Sequence, residues 1–167
     1  MMAAEDINKP PPSVTEESFN QLLNLLSEWA AIQEEHICSV GRPLSDREAA
    51  LARQVGVHQP ERVRVLTVAV VPFPDDPDIL SCGAQAGLAS ENAAAMTLGF
   101  GIYIRYDQSY RRDIWPDEFR HVAQCESLGS LKTFLFFYLK ELLHFRYGNG
   151  PLEVDARQAE ELGVLPL

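Results

Sequence analysis

The sequence has few cysteines, few basic residues and no long apolar run. Its 167 residues include 3 Cys, and 14 Lys and Arg stand against 24 Asp and Glu, a formal net charge of −10. Three widely spaced thiols argue against a disulfide framework, and the negative charge disfavours nucleic acid or an anionic membrane as a partner. The apolar run at 135–139 is far shorter than the roughly 20 residues of a membrane-spanning helix. We therefore expect a cytoplasmic protein.

The remaining composition is that of one globular domain. Hydrophobic residues make up 46% of the chain and charged residues 23%, both ordinary values for a folded domain of this length. Residues 1–13 end in three consecutive prolines and contain little that a core could bury. The sequence predicts a flexible N-terminal arm at 1–13 and a single domain at 14–167.

Apolar spacing and capping residues predict mainly helices and two strands. The second strand, at 97–106, carries Gly99 and Gly101 on one face, a pattern that favours an edge where a ligand or another backbone approaches closely. The order of elements predicts an α+β domain with a small sheet and a mostly helical C-terminal half. The predicted helices begin at Ser13 or Thr15, Ser45, Asp78, Asp113, Ser130 and Leu152, and the predicted strands cover 63–71 and 97–106.

One short segment contains side chains of the types that bind metal ions and transfer protons. Asp117 and His121 are four residues apart and therefore share a helix face, with Glu118 beside them. Two ligands at this spacing and a neighbouring carboxylate form the pattern of the HExxH metallopeptidases, except that Asp117 occupies the position of the first His. Acidic residues are also favoured in the first turn of any helix, so the fragment alone is weak evidence.

The surrounding residues strengthen the pattern. The stretch DEFRHVAQCESLG at 117–129 resembles the HELxHVxQYExLG stretch of small zincin-like metallopeptidases of the gluzincin type. Tyr147 and the segment PLEVDA at 151–156 resemble the Y...PLExxA segment of the same families. The resemblance covers residues 44–160 and implies a zincin-like fold, in which a small sheet lies beside the active-site helix.

The resemblance also implies roles for four residues. Glu118 is the general base that deprotonates metal-bound water, and His121 and Glu153 are metal ligands. Asp117 fills the position of the first ligand, so that an Asp-His-Glu set neutralises the charge of Zn²⁺ and moves the preference toward Mn²⁺. The implied activity is hydrolysis of a peptide bond, with the peptide or protein substrate held along the 97–106 strand.

Other interpretations of these residues remain open. The competing function is a non-catalytic, metal-free domain that binds a peptide or protein in the same groove by strand addition. A purely structural domain is a third possibility. Weaker candidates for the site are a thiol nucleophile at Cys125, an orienting amide at Gln124 and the oxyanion stabilisers Tyr103, Arg105 and Tyr147.

Overall fold

The structure is a computed structural model that describes residues 14–87 and 92–162, so the predicted arm at 1–13 lies outside the described residues. It confirms the predicted α+β class and the helical C-terminal half. None of the helices in these two ranges has the length and apolar character needed to span a membrane. The elements are α1 Glu16–Val40, β1 Arg42–Pro43, α2 Asp46–Gln54, a 3-10 helix Pro60–Arg62, β2 Arg64–Val68, α3 Pro77–Gln85, β3 Ala95–Leu98, β4 Gly101–Arg105, α4 Ile114–Leu128, α5 Leu131–Phe145 and α6 Pro151–Leu162.

The four strands form one mixed sheet in the order β1-β2-β4-β3. β2 runs parallel to β4, whereas β1 and β3 run antiparallel to their neighbours. The prediction of one strand at 97–106 is wrong, because Gly99 takes a positive φ of 65° and the chain reverses there. The result is a hairpin in which β3 forms one edge of the sheet and β4 lies inside it.

The two faces of the sheet pack against different helices. On one face, Ile102 and Val65 belong to a buried cluster with Phe119 of α4. On the other face, Tyr103 belongs to a cluster with Ile37 of α1 and with α5. A Cβ on Gly101 would lie 2.9 Å from the Cβ of Ile37, so this glycine permits the close approach of α1 to the sheet. The glycine pattern predicted that a ligand or another backbone approaches the strand closely. At Gly101 it is helix α1 that does so.

Side-chain caps begin four of the described helices, namely α1, α2, α3 and α5, where Ser130 accepts from the amide of Thr133. Thr15 accepts a hydrogen bond from the amide of Ser18 at the start of α1, and Ser45 forms a capping box with Glu48 at the start of α2. The predicted cap of α3 at Asp78 is wrong, because Asp76 accepts from two backbone amides and Pro77 is the first helical residue. α3 ends at Gln85, short of the predicted end near residue 88, which lies outside the described residues.

Helix α4 is the most buried helix of those described. Ten of its 15 residues are buried, against five of the 15 in α5, which the sequence predicts to be the central helix. The reason is position: α4 lies against β3 and is surrounded by α2, α5 and α6. Its polar residues Glu118, His121 and Gln124 are therefore carried into the interior together with its apolar ones.

Candidate functional site

Helices α4 and α6 bring the four predicted site residues together. The Nε2 atom of His121 lies 3.8 Å from Oδ2 of Asp117 and 3.8 Å from Oε2 of Glu153. Glu118 is buried in the same region, with 9% of its surface exposed. We refer to Asp117, Glu118, His121 and Glu153 as the acid–His cluster.

A hydrogen-bonded chain fixes the orientation of the His121 ring. The amide nitrogen of Gln124 donates to the carbonyl oxygen of Leu152 and to Oδ2 of Asp155. Its Oε1 therefore faces Nδ1 of His121 at 2.8 Å and accepts the proton that this nitrogen carries. Nε2 is left to face the carboxyl groups. In the neutral ring its lone pair can accept a proton from a carboxylic acid or bind a cation, and in the protonated ring Nε2 donates to a carboxylate.

Two hydroxyl groups hold the carboxylates of the cluster. The hydroxyl of Thr97 on β3 lies 2.5 Å from Oε2 of Glu118 and 3.1 Å from the Glu118 carbonyl oxygen, and its single proton is donated to one of them at a time. The hydroxyl of Tyr138 on α5 donates to Oε1 of Glu153 over 2.7 Å. Because Tyr138 engages Oε1, the other oxygen of Glu153 is the one that faces His121.

The position of Glu153 depends on how α6 is anchored. Glu141 of α5 accepts a hydrogen bond from the amide of Leu152 over 2.8 Å, close to the start of α6. Gly150 makes this contact possible, since a Cβ there would lie 2.8 Å from the Cβ of Glu141. The guanidinium of Arg120 donates to both carboxylate oxygens of Asp155, at 2.8 and 3.2 Å, and so joins α4 to α6.

The cluster contains more negative than positive charge. Burial raises the pKa of Asp117 to about 6, with Glu153 adding to the effect and His121 opposing it. Burial likewise raises the pKa of Glu118 to about 7. Burial alone would lower the pKa of His121, but Glu118, Glu153 and Asp117 outweigh that effect and raise it. All three directions mean that the site favours additional positive charge.

Asp117, His121 and Glu153 offer the donor types that a divalent cation needs, one imidazole nitrogen and two sets of carboxylate oxygens. Ligand atoms about 2.0 to 2.1 Å from a tetrahedral zinc ion lie about 3.3 Å apart. The 3.8 Å separations are wider, and within 14–87 and 92–162 no three His, Cys, Asp or Glu side chains already have the arrangement of a metal site. The donor set thus fits a cation by its chemistry, and the spacing requires the side chains to close inward.

A cavity of about 180 Å³ adjoins the cluster. Asp117, Glu118, His121 and Glu153 all line it, and so does Tyr147, whose surface is 47% exposed. Burial, and after it the negative charge of the cluster, raises the pKa of Tyr147 to about 12. All four residues of β3 also line the cavity, which places the cluster beside the edge of the sheet.

The other sequence candidates lie outside this cavity. Tyr103 donates a hydrogen bond to Gln33 of α1, and Arg105 pairs with Asp107 at the surface. Cys125 is buried and burial raises its pKa to about 12, which argues against a nucleophilic thiol. Tyr147 is thus the one oxyanion candidate of the three that reaches the site.

Thr97 and Tyr138 belong to the site, although neither lies in the motif at 117–129 or in the segment at 151–156. Thr97 lies on a strand whose other residues are apolar or small, and Tyr138 lies on a helix that is apolar around most of its girth. Both resemble ordinary core residues in the sequence. A hydroxyl within an otherwise apolar element was the available signal, because a buried hydroxyl requires a polar partner.

The chain matches no protein-family model, no curated protein and no solved structure. The likeness to zincin-type metallopeptidases therefore depends on the sequence motifs.

Proposed function

We propose that this protein is a metal-dependent hydrolase of peptide bonds, with Asp117, His121 and Glu153 as the cation ligands and Glu118 as the general base. The observation that carries the proposal is the acid–His cluster itself. Three carboxylates and one imidazole converge beside a cavity, and the only basic member of the set is His121. Enzyme active sites are where such perturbed groups collect.

The charge of the cluster supports a cation. Burying several carboxylates together is costly unless protons or a metal ion compensate them. When it is bound, a divalent cation such as Zn²⁺ or Mn²⁺ supplies Lewis acidity, which acidifies water and polarises a carbonyl. Gln124 contributes by holding His121 with Nε2 toward the two carboxylate ligands.

Glu118 has the properties of a general base. A pKa of about 7 means that the carboxyl exchanges its proton easily near neutral pH, which is the condition for efficient proton transfer. The Thr97 hydroxyl orients the carboxyl from the strand side. Glu118 can therefore take a proton from attacking water and return it to the leaving amine.

The substrate in this proposal is a peptide or an unfolded protein segment. β3 has no strand partner on its outer side among the described residues, so an extended peptide can add there by backbone hydrogen bonds. The binding edge is thus Ala95–Leu98 rather than the whole of 97–106. Neither nucleic acid nor a membrane is part of the proposal, and cytoplasmic location stays a prediction from the sequence.

A non-catalytic peptide-binding domain is the second candidate. The observation that favours it is the 3.8 Å spacing of the donors, together with the raised pKa values of Asp117 and Glu118. Protons on these two carboxyls can neutralise the cluster without a metal ion. In that case the same cavity and strand edge hold a peptide that is not cleaved.

Replacement of the general base tests the proposal. Protein loaded with Zn²⁺ or Mn²⁺ should cleave an unfolded protein substrate, and Glu118→Gln should reduce kcat by about 100-fold or more while the metal content stays unchanged. Glu161→Gln, an exposed position on α6, is the matched control and should retain full activity. Full activity in Glu118→Gln would refute the assigned role, and metal-loaded wild-type protein that cleaves nothing would favour the binding domain.

A further inference from the structure

Arg157 is an exposed basic side chain next to the acid–His cluster. It lies on α6 four residues after Glu153, so the two side chains share a helix face, with their Cβ atoms about 5 to 6 Å apart. A Cβ on Gly148 would lie 3.4 Å from Nη1 of Arg157. Gly148 directly follows Tyr147, which lines the cavity and has 47% of its surface exposed. The guanidinium therefore lies where the cavity opens to solvent.

The positive charge of Arg157 acts on side chains that line the cavity. Burial raises the pKa of Asp117 and the pKa of Tyr147, and Arg157 opposes the rise at both. Because the energy between two charges falls with their separation, the guanidinium lies within electrostatic range of both side chains. A negatively charged group of a ligand at this opening would be attracted by the same charge.

Arg157 forms no ion pair with a carboxylate of residues 14–87 or 92–162. Glu160, on the next turn of α6, interacts with it only at longer range. Other arginines of the chain hold a carboxylate at 2.5 to 2.8 Å, namely Arg42, Arg105, Arg111 and Arg120. The donors of Arg157 are thus open to a carboxylate that comes from a ligand.

These observations, together with the proposed function, identify a further feature of the substrate. We propose that Arg157 binds a carboxylate group of the substrate, one or two residues away from the peptide bond presented to Glu118 and His121. A guanidinium binds a carboxylate through two parallel hydrogen bonds. The separation of one or two residues follows from the spacing of Glu153 and Arg157, because an extended peptide advances about 3.3 Å per residue.

Two groups of a peptide can supply this carboxylate. One is the C-terminus, in which case the protein removes residues from the ends of peptides. The other is the side chain of Asp or Glu, in which case the protein cleaves within a chain beside an acidic residue. Peptides that carry only one of the two carboxylates distinguish the sources.

Binding to metal-free protein tests the proposal without cleavage and without a cation that could hold the carboxylate itself. At pH 6 the raised pKa values of Asp117 and Glu118 leave these carboxyls partly protonated, which limits repulsion of an anionic ligand. The probes are N-acetyl-trialanine as the free acid, the same peptide as its amide, and N-acetyl-Ala-Glu-Ala amide, each titrated by NMR.

One of the two peptides with a carboxylate should bind about fivefold more tightly than the uncharged amide, as expected for an ion pair at an exposed position. Tightest binding by the free acid would assign the C-terminus, and tightest binding by the Glu peptide would assign an acidic side chain. Equal affinity of all three peptides would overturn the proposal.

Variants of Arg157 locate the binding. Arg157→Gln should abolish the advantage of the favoured peptide over the uncharged amide. Arg157→Lys should keep part of it, because an ammonium group retains the charge without the two-pronged geometry. Arg53→Gln, at an exposed position on α2, is the control and should keep the full preference. A preference that persists in Arg157→Gln would contradict the proposal and would mean that Arg157 only offsets the charge of the cluster.

Cleavage of the same peptides by metal-loaded protein separates this inference from the proposed function. The favoured peptide should have a kcat/KM about fivefold above that of the uncharged amide, and this ratio should fall to about one in Arg157→Gln. Cleavage by the wild type with a ratio near one would overturn the inference and leave the proposed hydrolase standing. Preferential binding by a protein that cleaves nothing would support the role of Arg157 and reject the hydrolase.

Discussion

Two contacts between charged or titratable side chains join helices α4 and α6, and they differ in charge balance. Arg120 and Asp155 form a two-pronged ion pair in which hydrogen bonds from Arg120 lower the pKa of Asp155. In the acid–His cluster, Asp117 and Glu153 approach a single imidazole, and the pKa of Asp117 is raised. The Arg120–Asp155 pair is electrically neutral, whereas the acid–His cluster contains more carboxylates than positive groups.

The difference in charge balance indicates a different role for each contact. The Arg120–Asp155 pair stabilises the packing of α4 on α6. Arg120 also donates to the carbonyl oxygen of Val55 and so connects α4 to the C-terminal end of α2. Because the pKa values of Asp117 and Glu118 are raised, the ionised cluster should lower the stability of the metal-free protein at neutral pH. A buried group that costs stability beside a cavity is typical of a functional site rather than of a structural one.

The largest expected effect is a dependence of stability on pH. The folded-state pKa values of Asp117 and Glu118 lie above the unfolded values of 3.8 and 4.5, so their contribution is complete below about pH 4 and is lost as the pH rises through about 6 to 7. The raised pKa of His121 acts in the same direction. The unfolding free energy of metal-free protein, from urea titrations, should fall by a few kcal/mol, on the order of 3, between pH 5 and pH 8.

Saturating Zn²⁺ or Mn²⁺ is the control for this prediction. A bound cation replaces the protons, so the loss of stability on raising the pH should shrink or disappear. A metal-free protein whose stability is flat from pH 5 to pH 8 would contradict the charge imbalance on which the comparison depends.

The next effect concerns the neutral contact. Arg120→Met removes hydrogen bonds to Asp155 and Val55 and should lower the unfolding free energy by about 2 kcal/mol. The loss should be nearly constant above pH 5, because the lowered pKa of Asp155 makes the pair complete throughout that range. Arg53→Met, at an exposed position on α2, is the control. An equal loss of unfolding free energy in both variants would mean that the Arg120–Asp155 pair does not stabilise the packing of α4 on α6.

The smallest effect has the opposite sign. Asp117→Asn removes one of the crowded carboxylates and should raise the unfolding free energy of metal-free protein by about 1 kcal/mol at pH 8, with little change at pH 5. Asp113→Asn, which loses only the surface pair with Arg111, should give no such gain. Destabilisation of Asp117→Asn at pH 8 would mean that this carboxylate stabilises the folded protein.

The sequence predicted most of the helices because local signals mark them. Ser45 and Glu48 predict the capping box at the start of α2, and the four-residue spacing of Asp117 and His121 predicts that they share a helix face. The hairpin at Gly99 was missed because two short strands and their turn share one apolar, β-branched pattern. The local signal could not tell a turn glycine from a strand glycine.

The site was only partly predictable. Its α4 residues follow from one helix, whereas the approach of Glu153 depends on the contacts of Gln124 and Arg120 with α6. The cavity depends on α1, which is distant in sequence and carries no motif that points to the site. Helix packing of this kind is decided by tertiary contacts rather than by local spacing.

Metal binding tests the central claim most directly. Zn²⁺ and Mn²⁺ affinity and stoichiometry would be measured by calorimetry and mass spectrometry for wild-type protein, for Glu153→Gln and for the exposed control Glu161→Gln. We expect about one ion per chain in wild type and control, and an affinity lower by about 100-fold in Glu153→Gln. No retained ion in wild type, or equal affinity in Glu153→Gln, would contradict a cation site at the acid–His cluster.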